Sequence, residues 1–383
     1  MKRILHAGFA IFFAAVLILP VCLTRWGESE YAAAERRNLA SFPNRFQNGT
    51  LNPDYVENVI AWFEDHMGFR DSFVALRNRM QMDLFHLSPT DKVHLGKEGW
   101  LFYTQNLNLE IATGEYPLSE ETMEELTRRY LQIESRLEDE GIDFVLLFIP
   151  SKVSVYPEYV RAGTGEVQDT PIDRLSEYLT AHTPIKVINL KPDLIAAKGE
   201  HEVFHRTDTH WNGYGVYAGY ESVIKKLSEW GLCDPHIAQV TFAQTEETTD
   251  LLNMATGGSV ATRTSMLSVF QIEDERAIDD ADGELSPEFW QYIRESGIAN
   301  EEQCSHYVND SIDGKRALVL GDSFLGSQNV MTLFAENYSE VFFVRDAARL
   351  DMGLVNLVQP DVVIFERTER FLNNTPASEP IRE

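Results

Sequence analysis

The sequence predicts an α/β fold: a three-layer α/β/α domain with a mostly parallel sheet. Two observations carry the architecture. Strand-length apolar runs at 142–149, 185–190, 317–320, 340–344 and 362–365 alternate with helical patterns at 119–138, 171–181, 213–230 and 323–337, and such alternation is how parallel strands are connected. The run at 142–149 is apolar almost throughout, as a strand covered on both faces requires. A third observation places the chemistry. Leu318-Val319-Leu320 leads straight into Gly321-Asp322-Ser323, at a strand's carboxyl end, where open parallel sheets hold ligands.

The chain opens with Lys2 and Arg3 before an apolar run at 4–23, close to the roughly 20 residues that span a bilayer as a helix. The basic flank predicts a single-pass signal anchor in the cell membrane, with the rest of the chain extracytoplasmic. A cleaved signal peptide, cut near Ala32-Ala33-Ala34, is the competing reading. Residues 25–105 form a helical and hairpin extension. In it Tyr55, Val59, Trp62, Phe63 and Met67, then Phe73, Leu76, Met80 and Leu84, recur at three- and four-residue spacing. Residues 92–102 read as a hairpin whose turn is permitted by Gly96 and Gly99.

The main domain is expected over 106–372. Its first helix starts at Ser119, with acidic residues in the first turn, and stops before Gly141. Residues 235–312 break the alternation, carry the acidic stretch Asp279-Asp280-Ala281-Asp282-Gly283, and look like an insertion or lid. Residues 373–383 are a tail.

Composition narrows the function. A formal net charge of -27 over 383 residues argues against nucleic acid, which needs a concentrated Lys/Arg surface. The three cysteines, Cys22, Cys233 and Cys304, include no Cys-x-x-Cys pair, so a structural zinc site is not expected. Cys233 and Cys304 could form one disulfide or stay as two thiols.

Ser323 is a candidate nucleophile, but a serine hydroxyl needs a base to take its proton. His210 supplies that base, and Asp208, two residues away, can hold its other ring nitrogen. A helix starting at Ser323 would offer free amides and a dipole to an oxyanion. The plainer reading of Ser323 is a helix N-cap, and of Asp208-Thr209-His210 a polar turn. Their joint presence at element boundaries favours catalysis. His201, His205, Asp208 and His210 also invite a metal reading, but no second acidic or histidine cluster completes such a site, so neither metal nor cofactor is expected.

Gly321-Asp322-Ser323-Phe324 with Thr207-Asp208-Thr209-His210-Trp211 resembles the alginate O-acetyltransferase family of AlgX and AlgJ type, related to the DHHW proteins. Asn38-Leu39-Ala40-Ser41-Phe42-Pro43, Phe63-Glu64-Asp65-His66-Met67-Gly68-Phe69-Arg70-Asp71, Gly96-Lys97-Glu98-Gly99-Trp100-Leu101-Phe102, Pro150-Ser151-Lys152, Val155-Tyr156-Pro157 and Glu369-Arg370 extend the likeness over about 35–372. The resemblance implies an SGNH-hydrolase-like fold with Ser323 as nucleophile, His210 as base, Asp208 as orienter and the Ser323 amide as oxyanion donor. Lys152, Tyr156, Trp211 and Asn212 are weaker candidates for lining a substrate site, with core packing the expected role of Trp211 and Tyr156. Asp65, His66 and Arg70 are expected to form a structural polar cluster.

The expected function is extracytoplasmic O-acetylation of a cell-surface or exopolysaccharide through an acyl-enzyme, with a membrane-bound O-acyltransferase partner supplying acetyl groups. A carbohydrate acetyl esterase with the same triad, and a non-catalytic glycan-binding or assembly component, are the alternatives. The chain has no room after Ser323 for the carbohydrate-binding module that follows the catalytic domain in AlgX-type enzymes. Its acidity also makes a neutral glycan at least as plausible an acceptor as alginate.

Overall fold

The computed structural model describes residues 2–24, 31–32, 37–47, 49–116, 118–161, 165, 169–256, 264–345, 349–374 and 379–383. They form two compact units: Met1–Leu95 with Thr248–Thr264, and Gly96–Glu247 with Ser265–Glu383.

The larger unit is built on a seven-stranded sheet. Its strands are β1 (Asp143–Ile149), β2 (Lys186–Asn189), β5 (Ile278–Asp279), β6 (Cys304–Val308), β7 (Arg316–Gly321), β8 (Glu340–Arg345) and β9 (Val362–Thr368), while β3 (Val240–Glu247) and β4 (Ser265–Ile272) form a separate two-stranded ribbon. The order across the sheet is β5-β6-β8-β7-β9-β1-β2. The five strands from β8 to β2 are mutually parallel, and β6 and β5 add an antiparallel edge. Every residue of β9, and all of β1 after Asp143, is buried, which explains the uninterrupted apolar runs. The carboxyl ends of β1, β7 and β9 lie side by side and bring residues 150–152, 321–323 and 368–370 together.

The helices follow their caps. Ser119 Oγ accepts the Thr122 N–H at 3.1 Å to start Glu120–Glu138, and Gly141, at φ +74°, turns the chain into β1 in a conformation that costs glycine little. Thr170 and Asp173 make a capping box for Pro171–His182. Asn212 Oδ1 accepts the Gly215 N–H at 3.0 Å to cap Gly213–Glu229.

Two expectations need correction here. The helix expected over 323–337 is reduced to Val330–Ala335. Residues 322–329 form a turn in which Gln328 and Asn329 take left-handed backbone (φ 56° and 57°), and a helix cannot pass through residues held there. The stretch at 235–312 is also only partly an addition. Within it, β6 pairs along β8, and the fully buried His306 places Nδ1 2.9 Å from Asp280 Oδ2 and Nε2 3.0 Å from Glu340 Oε1. Asp280 further accepts the Leu285 and Ser286 amides and Trp290 Nε1–H. The acidic stretch is therefore tied down by a satisfied polar knot.

In the smaller unit, helices Tyr55–His66 and Arg70–Leu84 follow the predicted periodicity. Asp65 accepts the Ala40 N–H at 2.8 Å and lies 3.6 Å from Arg70, while the His66 ring stacks on Trp62. The turn expected between Gly96 and Gly99 is present, the Gly96 amide donating to Trp100 O at 2.8 Å. Cys233 and Cys304 are both free thiols. Residues 33–34 of the cleavage-site reading and 375–378 of the tail lie outside the described residues.

The expected membrane anchor is not supported. Among the described residues no helix is long and apolar enough to cross a membrane, which overturns the single-pass, cell-membrane assignment for 4–23. The helix there, Lys2–Cys22, has Pro20 in its last turn, and the Pro20 carbonyl accepts the Gly68 amide at 3.0 Å.

Candidate active site

Ser323 follows β7 directly, in the turn that replaces the expected helix. The turn is held by its neighbour. Asp322 is buried, its Oδ1 accepting the Phe324 N–H at 2.9 Å and its Oδ2 the Thr368 N–H at 3.1 Å. The Asp322 N–H in turn donates to Glu366 Oε2 at 2.8 Å. A Cβ on Gly321 would sit 2.9 Å from that Glu366 oxygen and 3.2 Å from the Phe343 ring, so the strand closes on the carboxyl only because residue 321 has no side chain. Burial, and after it the Asp322 charge, holds the Glu366 carboxyl well above the usual range.

Asp208 and His210 come from the loop between helix Lys191–Ala197 and helix Gly213–Glu229. Asp208 Oδ1 accepts the His210 backbone N–H at 3.0 Å, an Asx turn, and lies 2.7 Å from His210 Nδ1. His210 Nε2 is 2.9 Å from Ser323 Oγ, across 113 residues of sequence. With the ring proton on Nδ1 and donated to Asp208, Nε2 is left to accept from the serine hydroxyl. The imidazole packs beside the Phe324 ring, with centroids 5.1 Å apart. The three residues predicted to act together are in hydrogen-bond contact in the predicted order.

The four weaker candidates are all buried and turned to structural work. Lys152 Nζ donates to the backbone carbonyls of His205 (3.1 Å), Arg206 (3.3 Å) and Asp208 (2.7 Å), and lies over the Trp100 and Phe102 rings, 5.7 and 5.2 Å from their centroids. The Tyr156 hydroxyl accepts the Val203 amide at 2.8 Å. Trp211 Nε1–H donates to the Phe324 carbonyl at 3.1 Å, joining the histidine loop to the serine turn. Asn212 caps its helix and donates to the Glu202 carbonyl at 2.6 Å. Asn212 also borders a cleft beside residues 201–214; together the four fix the loop that carries Asp208 and His210. A charged or polar group beside a motif is as readily spent on buried backbone carbonyls as on a ligand.

Sequence reasoning passed over Asp322, Glu366 and Thr368, which hold the serine turn, and Glu369, which holds the adjacent one. Glu369 Oε2 accepts the Ser151 N–H at 3.1 Å and the Ser154 hydroxyl, and burial raises its carboxyl above the ordinary value. One signal was available: Glu366 follows the apolar run 362–365 within β9 and Glu369 follows the strand's last residue, where a buried carboxylate must find a partner or lose its charge.

Of the residues weighed as metal ligands, His201 stacks on Tyr214 at 4.2 Å and His205 is buried. Burial pushes the His205 imidazole down to about 4. The unfolded chain protonates this residue near 6.5, so it takes up a proton that the folded chain refuses. Stability is full above about pH 6.5 and falls as the pH drops to about 4, by on the order of 3 kcal/mol from this group. In urea titrations from pH 7 to 4, His205→Gln should flatten the decline; an unchanged slope would mean His205 is not held neutral.

Residues 93–285 match the family model of the SGNH hydrolase-like domain of acetyltransferase AlgX. The chain is 23% identical over 230 residues to the probable alginate O-acetylase AlgJ of Pseudomonas fluorescens, covering 57% of this chain and 52% of that one. It is 28% identical over 237 residues to the probable alginate O-acetylase AlgJ of Pseudomonas putida, covering 61% and 56%. The chain thus spans about half the length of the curated relatives it matches. Among solved structures, Bacillus cereus PatB1 with a sulfonyl adduct aligns at TM-score 0.53 and 13% identity, over 76% of this chain and 100% of that one. A DHHW family protein from Eubacterium siraeum aligns at 0.51 and 12%, over 75% and 97%. At such identities these two speak for the fold alone. With half of the chain matched, including Asp208 and His210, this protein belongs to the family of AlgX-type SGNH hydrolase-like domains.

Proposed function

We propose that the protein is an O-acetyltransferase that moves an acetyl group to a polysaccharide hydroxyl through an acyl-enzyme on Ser323. The observation that carries this reading is the unbroken hydrogen-bonded series Asp208 Oδ1, His210 Nδ1, His210 Nε2, Ser323 Oγ, with distances of 2.7 and 2.9 Å. The names of the AlgJ relatives, probable alginate O-acetylases, support acetyl transfer to a glycan as the reaction class.

In the first half-reaction Ser323 Oγ attacks the donor's acetyl carbon while His210 Nε2 takes the hydroxyl proton. The tetrahedral oxyanion then collapses, the donor leaves with that proton, and acetyl-Ser323 remains. In the second half His210 takes the proton of a sugar hydroxyl, whose oxygen attacks the acyl carbon and releases Ser323 with its proton restored. Asp208 keeps the imidazole in the Nδ1-protonated tautomer and stabilises its cation. The proposed oxyanion donor is the Ser323 amide within a tight turn, without a helix dipole behind it; the Phe324 amide is already committed to Asp322. The donor is proposed to be charged by an acyltransferase partner.

The test is a donor-dependent assay with an oligosaccharide acceptor, followed by mass spectrometry of both sugar and protein. Sugar gaining one acetyl per donor consumed supports transfer; acetate release with no sugar product under any acceptor would sink it. Asp208→Asn should lower kcat by about 10⁴-fold while leaving the fold intact, because the amide favours the wrong imidazole tautomer. An Asp208→Asn enzyme with near-normal kcat would show that Asp208 does not orient His210.

A further inference from the structure

The loop that carries Asp208 and His210 is also one wall of a cleft. The cleft, of about 530 Å³, lies between residues 201–214 and one face of the β3–β4 ribbon, wholly inside the larger unit. Its volume falls within the range of small-ligand sites, about 300–1,000 Å³. Thr207, immediately before Asp208, and Asn212, two residues after His210, both line it, so the catalytic loop is anchored in this wall.

The ribbon's lining face follows from its register. Gln244 pairs with Ser268 and Glu246 with Met266, and residues two apart on a strand share a face. Gln244 and Met266 are exposed, Met266 at 60%. Opposite them, Tyr214 is stacked between His201 and Phe242, each 4.2 Å away. The wall thus alternates hydroxyl and amide groups with ring and thioether surface, the mixture that matches a sugar's hydroxyls and C–H faces.

Among the described residues the charges of the cleft cancel. Arg206 is the one guanidinium among them, and it is engaged by both carboxylate oxygens of Glu202 and donates to the Glu98 carbonyl. No lysine is among the described lining residues, and the chain carries a net charge of -27. A polyuronate would bring a carboxylate on every residue with no uncommitted cation among these lining residues to meet it.

Resting on the acetyltransferase reading above, we propose that this cleft is the acceptor subsite and that it holds a short segment of an uncharged polysaccharide. The acceptor chain lies along the β3–β4 ribbon with a hydroxyl delivered toward His210, and Gln244, Ser268 and Thr207 bond the flanking sugars.

The experiment measures binding to the full chain carrying Ser323→Ala, so that no turnover intervenes. The probes are a neutral β-1,4-glucan hexasaccharide and a polymannuronate hexasaccharide, by calorimetry. The expected result is binding of the neutral probe, weakened about tenfold or more by Gln244→Ala and by Ser268→Glu, with polymannuronate at least tenfold weaker. Lys225→Ala, on the exposed side of its helix, should change nothing, and unfolding midpoints confirm that the variants fold. Neutral binding that both cleft variants leave unchanged overturns the proposal. So does polymannuronate binding that is tighter than the neutral probe and lost in the same variants. Failure of both probes to bind, with aryl acetate turnover by the wild type intact and abolished by Ser323→Ala, refutes the cleft and leaves the triad standing. Turnover that survives Ser323→Ala refutes the triad instead.

Discussion

Ser323→Ala should abolish acetyl-enzyme formation and lower kcat/KM for an activated aryl acetate by about 10⁴-fold or more, the loss seen when a triad nucleophile is removed. The fold should survive, because among the described residues this hydroxyl bonds to the His210 side chain and such a bond is worth about 1 kcal/mol. The effect should not add to that of His210→Ala. Residues that act as a unit fail together, so the double variant should be no worse than the worse single one within about threefold. Two measurements check this: stopped-flow release of the aryl alcohol, and intact-protein mass after donor addition. A Ser323→Ala protein that still acquires an acetyl group would end the acyl-serine mechanism. Multiplying effects in the double variant would mean that Ser323 and His210 work independently.

Lys152→Met should cost on the order of 3 kcal/mol of stability and more than tenfold in kcat/KM, although Lys152 touches no triad side chain in the bonds described. Lys152 is buried, and its ammonium donates to three loop carbonyls, those of His205, Arg206 and Asp208. Charge-assisted bonds of this kind contribute about 1.5–3 kcal/mol, and without them the His205 and Asp208 carbonyls lose this donor while that of Arg206 keeps the Leu101 N–H. Methionine keeps most of the stem's volume and removes the charge with its bonds and its contacts to the Trp100 and Phe102 rings. A loop freed at Asp208 lets the carboxylate drift from His210 Nδ1, and displacements of about 1 Å at catalytic groups can cost 10²-fold. Equilibrium urea unfolding and the kcat/KM of aryl acetate hydrolysis check the two halves. An unchanged midpoint would show that the three carbonyls do not depend on Lys152. A lower midpoint with unchanged kcat/KM would show that the staple supports the fold but not the site.

Much of the sheet was legible because its strands are buried on both faces. Expected runs at 142–149, 185–190, 317–320, 340–344 and 362–365 meet strands within three residues at either end. The helix start at 120 was legible through Ser119, since caps are local chemistry; those at 171 and 213 came from the alternation, and the structure shows their caps to be Thr170 with Asp173 and Asn212. The helix expected from Ser323 failed for a physical reason that local pattern does not show. Asp322 spends its carboxylate on Phe324 and Thr368, and the left-handed backbone at Gln328 and Asn329 follows. Strand β6, inside what read as an insertion, was missed because Cys304-Ser305-His306-Tyr307 alternates weakly and owes its place to pairing with β8.

The sequence by itself determined the candidate triad, Ser323, His210 and Asp208, and the strand end on which the serine sits. Those are properties of side-chain type and of apolar runs a few residues long. Only the tertiary structure decided what surrounds them. It turned Lys152, Tyr156, Trp211 and Asn212 inward to brace the loop, exchanged a helix N-terminus for a carboxylate-bound turn, and closed the 113-residue gap between Ser323 and His210. These outcomes depend on which backbone carbonyls and amides are left unpaired once the strands have packed. That accounting exists only in the folded chain.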